Sequence, residues 1–172
     1  MTVKGRAIVI ELSVHDAADV LALELWDTAG AAAVAQALGF ALPPAGRSAG
    51  DDHLRAMRFE PTVWLVEGAA IDRAALDAAV ADHGAVTPIG GGLVRVRLVG
   101  AGWRGLLMHD GVFDAENPAF APGCTAATVI AHVALRLNVV APDRCDALVP
   151  ASLADGLIAR WCEVAARVDT PA

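Results

Sequence analysis

The chain has 172 residues, 56% of them hydrophobic, and carries a formal net charge of −7. That length suits one domain whose core buries roughly 70% of the unfolded surface, and the acidity leaves no basic stripe for nucleic-acid phosphates or anionic lipid. The apolar runs are broken by Arg, Asp or Gly well short of the ~20 residues that cross a bilayer, and the stretch from Met1 to Glu11 lacks a signal-peptide pattern.

Residues 6–14 read as a first strand, with Ile8, Ile10 and Leu12 on alternate positions. Residues 21–26 are apolar but too short to type. The spacing of Ala31, Val34, Ala35 and Leu38 predicts a helix with Thr28 as N-cap and Gly39 as its stop, after which Pro43 and Pro44 break regular structure. Residues 45–52, rich in Gly, Ser and Asp, read as a surface loop. Residues 54–59 and 62–67 read as two strands around Pro61, and residues 72–83 as a helix N-capped by Asp72 and ended by Gly84, with Leu76, Ala79 and Val80 on one side.

Gly90, Gly91 and Gly92 predict a turn. Val94, Val96 and Leu98 then alternate with Arg95 and Arg97, the pattern of a strand with one solvated face. Gly100 and Gly102 hand over to a short helix with Trp103, Leu106 and Leu107. Residues 128–140 read as one long strand, because Val129, Ala131, Val133, Leu135, Leu137 and Val139 share a period of two. A strand at 145–149 follows a turn at Pro142 and Asp143. The last helix carries a capping-box pattern at Ser152 and Asp155 and an apolar face of Leu157, Ile158, Trp161, Val164, Ala165 and Val168.

These elements predict an α+β fold in a single domain over 1–172, a mainly antiparallel sheet with helices packed on it. Its two halves share a loose strand, strand, helix order.

No catalytic centre emerges. His109, Asp110, Asp114 and Glu116, with His132 as a neighbour in space, lack the HxxxH or HExxH spacing of a metal site and read as a solvated helix end and turn. Asp51, Asp52 and His53 read as a polar loop tip, and His15 with Asp16 as the end of a strand. The glycines at 90–92, 100 and 102 lack the partners of a phosphate loop, and no serine sits in GxSxG. Cys124, Cys145 and Cys162 fit neither a disulfide framework nor a CxxC site, so a reducing cytoplasm is expected, with Cys162 packed as a small hydrophobe. Arg95 and Arg97 are the candidates for an exposed basic strip, meeting a partner's carboxylates or a folate tail. Trp26, Trp64, Trp103 and Trp161 read as core or interface, and Trp103 is the candidate hot spot.

Several landmarks recur in a familiar order: Leu38-Gly-Phe-Ala-Leu-Pro-Pro44, Val63-Trp-Leu-Val-Glu-Gly68, Val96-Arg-Leu-Val-Gly100, Leu107, Phe113-Asp114, Phe120-Ala-Pro-Gly123, the strand to Leu137, and Asp146-Ala-Leu-Val-Pro-Ala-Ser152. In that order and spacing the chain resembles the gamma subunit family of heterotetrameric sarcosine oxidase. The resemblance implies half of a folate-binding aminomethyltransferase domain as the fold. It implies a non-catalytic accessory subunit as the function, with FAD, FMN, NAD and tetrahydrofolate held by larger flavin-containing partner subunits and no cofactor in this chain. The sequence departs from the family where arginines are usual, at Ala126-Ala-Thr-Val129 and at Ala151. A stand-alone folate-binding or one-carbon-transfer protein, and a relative that associates with itself in place of a flavoenzyme, are the alternatives.

Overall fold

The computed structural model describes residues 10–168. In chain order these form β1 (Glu11–Asp16), β2 (Leu21–Leu25), α1 (Ala31–Leu38), β3 (Ser48–Gly50), β4 (Arg55–Arg58), β5 (Val63–Glu67), α2 (Arg73–Val80), β6 (Gly84–Pro88), β7 (Leu93–Val99), α3 (Trp103–His109), β8 (Thr125–Ile130), β9 (Val133–Ala141), β10 (Arg144–Pro150) and α4 (Ala151–Val168). The strands make two five-stranded sheets, ordered β1-β7-β10-β9-β8 and β3-β4-β5-β2-β6, and the pairings within them are antiparallel.

The period-two alternation of each strand sorts its side chains between two environments. Val96 and Leu98 of β7, Leu135 and Leu137 of β9, and Ala147 and Val149 of β10 pack against Trp103 and Leu107 of α3 and Leu157 and Trp161 of α4. On the second sheet, Leu23, Trp64 and Val66 pack against Val34 and Leu38 of α1 and Leu76 and Val80 of α2. The opposite faces of the two sheets meet over Ala17, Val20, Met57, Leu65 and Leu148. The order of layers is therefore helix, sheet, sheet, helix.

The apolar segment at 21–26 is β2, the strand between β5 and β6. Gly39 stops α1 as predicted, at φ 79° with its N–H donating to Ala35 and Gln36, but Gly30 and not Thr28 stands at the N-cap. Asp72 caps α2 through Ala75 N–H. Three corrections to the sequence reading concern strands. The segment at 45–52 is not wholly loop, since β3 pairs with β4. β6 was unforeseen, because Gly84 reads as a helix stop. In the structure Gly84 lies beside β2, where a Cβ would fall 2.0 Å from the Glu24 carbonyl oxygen.

The third correction is the largest. Residues 128–140 are not one strand but the hairpin β8–β9, turned at Ala131 and His132 with φ of 48° and 67°. A two-residue turn with both φ positive normally carries Asn-Gly or Asp-Gly, and Ala-His conceals it. Val129 therefore pairs with Ala134 and is exposed, while Ile130 and Val133 turn into the core.

At the last helix, α4 begins at Ala151, so Ser152 sits inside the first turn and does not cap it. Cys162 is exposed and not packed, and Trp26 is exposed too. The start of the first predicted strand, at residues 6–9, and the side chain of Val168 lie outside the described residues.

Candidate functional site: a polar cleft between the sheets

The faces that meet between the sheets are not wholly apolar. Arg95 and Arg97 of β7 and Asp146 of β10 point toward the second sheet, whose β4 and β5 present Arg55 and Glu67. Asp19, Asp51 and Asp52 come from the connecting loops and close a cleft of about 170 Å³ with Gly68 at its rim.

The Arg95 guanidinium donates to Glu67 Oε2 at 2.9 Å, to Asp19 Oδ1 at 3.1 Å and to the Asp16 carbonyl at 3.0 Å. Arg97 grips Asp146 through Nε and Nη2, both at 2.9 Å, the two-pronged geometry that suits guanidinium to carboxylate. Arg55 lies 3.6 Å from Glu67 and donates to Asp52 at 3.0 Å. Asp52 also accepts from Arg144, which brings the 51–53 loop to β10. Asp51 instead accepts the N–H groups of His53 and Leu54 and shapes its own turn.

Burial and pairing pull the carboxylates apart. Burial pushes the Glu67 pKa above 4.5 against the attraction of Arg95 and Arg55. The hydrogen bond from Arg144, then that from Arg55, draws Asp52 from 3.8 down to about 2. Because the folded value of Asp52 lies below the unfolded one, its pairing stabilises the fold above pH 3.8 and is lost as pH falls toward 2. Asp52→Asn is thus expected to flatten the fall in thermal midpoint between about pH 5 and about pH 2. Scans of both proteins at matched ionic strength check this, and superimposable profiles would rule it out.

Each guanidinium lining the cleft, Arg55, Arg95 and Arg97, has a carboxylate partner within the chain. Arg95 and Arg97 do not form the exposed strip expected of them. Their side chains are 13% and 29% exposed, because a second sheet covers the face that the sequence assigned to solvent. Beside Asp146, Asn138 is buried, and neither its amide nitrogen nor its amide oxygen has a partner among the described residues.

The other candidates disperse. Trp103 is 1% exposed and donates to the Pro142 carbonyl at 3.1 Å. Asp110 is held by Arg160 at 2.8 and 3.2 Å, Asp114 accepts Glu116 N–H, and His132 occupies the hairpin turn. Among the described residues no three His, Cys, Asp or Glu side chains converge on a metal position, and no helix is long and apolar enough to cross a membrane. His15 meets Ser13, and Asp16 accepts Ala18 N–H. Gly90–Gly92 is a short 3-10 turn. The sequence reading overlooked Arg55, Glu67, Asp146 and Arg144. Asp146 alone carried a sequence signal, a charge inside the otherwise apolar Cys145-Asp-Ala-Leu-Val149, whereas Arg55, Glu67 and Arg144 stand at strand ends, where charges are ordinary.

Comparison with known proteins gives this architecture a setting. Residues 23–167 match the sarcosine oxidase, gamma subunit family. Among solved structures, a chain of the heterotetrameric sarcosine oxidase from Corynebacterium sp. U-96 superimposes with a TM-score of 0.82 at 20% identity, covering 94% of this chain and 87% of that one. The glycine cleavage system aminomethyltransferase T of Bartonella henselae superimposes with a TM-score of 0.62 at 17% identity, covering 91% of this chain and 46% of that one. At these identities the likeness is one of fold. A search of the curated proteins returns no match.

Proposed function

Because the chain belongs to the sarcosine oxidase gamma subunit family, we propose that it is a non-catalytic accessory subunit of a heterotetrameric, sarcosine-oxidase-like amine oxidase. Larger subunits would carry the flavins, NAD and folate and perform the oxidative demethylation of a secondary amine.

The family match over 23–167 is the observation that carries this reading. In the cleft, ion pairs between Arg95 and Glu67 and between Arg144 and Asp52 tie the two sheets together, which is a structural use of its charges. Of the residues expected at a partner surface, Arg97 is the most accessible, at 29%, and Asp146 already takes its Nε and Nη2. Arg95 and Trp103 lie on opposite faces of the sheet that holds β7 and would act on a partner surface only through the packing around them. Free Cys124, Cys145 and Cys162 fit a reducing cytoplasm.

A tagged pull-down from the native host at low salt, read by mass spectrometry and visible absorption, tests the proposal. Larger subunits with a flavin spectrum in the eluate are the expected result. A colourless eluate holding this chain alone would overturn it. In that case tetrahydrofolate titration would separate a stand-alone folate-binding protein from a self-associating relative.

A further inference from the structure

β8 is the outer strand of its sheet, and its sequence, Thr-Ala-Ala-Thr-Val-Ile, carries none of the charges or prolines that usually blunt an exposed edge. Both ends of that edge are covered. At one, Thr125 N–H donates to the Gly46 carbonyl at 2.9 Å and Ser48 N–H to the Gly123 carbonyl at 2.8 Å. At the other, Ala131 N–H donates to the Asp110 carbonyl at 3.0 Å. Arg47 bridges Cys124, and Gly111 bridges Ile130. Between them the edge is open. Backbone groups of an antiparallel strand alternate between its two sides, so Ala127, in phase with Thr125, presents its N–H and C=O outward. It is exposed, and neither bridge reaches it.

Beside this gap runs a groove of about 540 Å³, walled by Gly46 and Arg47 on one side and Val112 and Phe113 on the other, with Thr125 and Ala126 between. Val112 is 93% exposed and continues the apolar surface to Val129 in the adjoining hollow. Arg47, on the opposite wall, donates to the Cys124 thiol at 2.8 Å and meets no carboxylate among the described residues.

The geometry points to this groove as the seat of an extended segment of the larger partner subunit. The segment adds a short strand beside β8, lays apolar side chains on Val112 and Val129, and sets a carboxylate on Arg47. The inference rests on the accessory-subunit reading. Strand addition uses unpaired edge groups for affinity and flanking side-chain seats for selectivity, and both are present. A second copy of this chain fits poorly, because pairing β8 with β8 needs the whole edge, and the segments at 46–48 and 110–111 occupy both ends. A segment without folded neighbours enters between them.

Ala127→Pro removes the outward N–H and leaves the β9 ladder, which runs through Ala126 and Thr128, intact; proline is tolerated on an edge in that setting. Val112→Asp places a charge on a side chain already in solvent and is a second route to the same test. In pull-downs from the native host, each variant is expected to lower recovery of the larger subunits by about tenfold while the free chain melts as wild type does. In the wild-type complex, hydrogen exchange over residues 125–130 is expected to slow by about tenfold relative to the free chain.

Undiminished capture by both variants with unchanged exchange would overturn this seat and leave the accessory role standing. A wild-type chain that self-associates, with an Ala127→Pro chain that does not, would overturn it by assigning the edge to a second copy. Absence of larger subunits from the wild-type eluate would overturn the accessory role and the seat together.

Discussion

Glu67→Ala is expected to lower the unfolding free energy by about 3–5 kcal/mol, read as a drop in urea midpoint at unchanged slope. Glu67 and Arg55 are buried and Arg95 nearly so. Removing the shared carboxylate leaves two guanidiniums inside the molecule with only Asp19 and Asp52, both nearer the surface, to neutralise them.

Burial raises the pKa of Glu67 while, over the opposing effect of burial, the pairing raises that of Arg95, and the cost of taking three ions out of water offsets much of the attraction among them. Replacing all three together, as Arg55→Met, Glu67→Leu and Arg95→Met, is accordingly expected to be neutral or to stabilise by about 1–4 kcal/mol. Glu67→Gln separates charge from contact. With a folded pKa above 4.5, Glu67 favours folding most below that pH, and this contribution declines as pH rises through its folded value. The glutamine variant lacks that decline. A triple variant as unstable as Glu67→Ala would refute this account of the cleft.

The same cleft marks the boundary of what the sequence discloses. Alternation in β7 states that Arg95 and Arg97 face away from Val96 and Leu98, and that is correct. It does not state what lies on the other side. The answer comes from Glu67 and Asp146, 28 and 49 positions away, and for Asp52 from Arg144, 92 positions away. Composition showed the amount of apolar surface but not that two sheets would bury both faces of β7. The elements whose signals are local were legible. Asp72 caps α2, Gly39 stops α1, and the helical spacing of Leu157, Trp161 and Val164 is the buried face of α4. The β8–β9 turn was hidden because Ala131 and His132 carry no turn signature while the apolar period runs on through them. The family resemblance supplied what spacing could not, since it rests on the order of landmarks along most of the chain.

Trp103 and Trp161 separate the core from the partner surface. Both are 1% exposed, on α3 and α4 of the same core, and truncation of either to alanine is expected to remove about 3–5 kcal/mol of stability. Phenylalanine should part them. Trp103 Nε1 donates to the Pro142 carbonyl, and Arg104 stacks 4.2 Å from its ring centroid, so Trp103→Phe loses a hydrogen bond and part of a cation–π contact. That change is expected to destabilise by about 1–3 kcal/mol. Trp161 Nε1 is buried with no acceptor among the described residues. Trp161→Phe therefore removes an unsatisfied donor along with some ring area, and is expected to fall within about 1 kcal/mol of wild type. Urea unfolding of the four variants measures the stabilities, and the pull-down gives the second axis. If Trp103 acts through the core, the phenylalanine variant captures larger subunits in proportion to its folded fraction. Lost capture in a fully folded Trp103→Phe chain would instead place the indole N–H at the contact itself, exposed by movement of α3 on assembly.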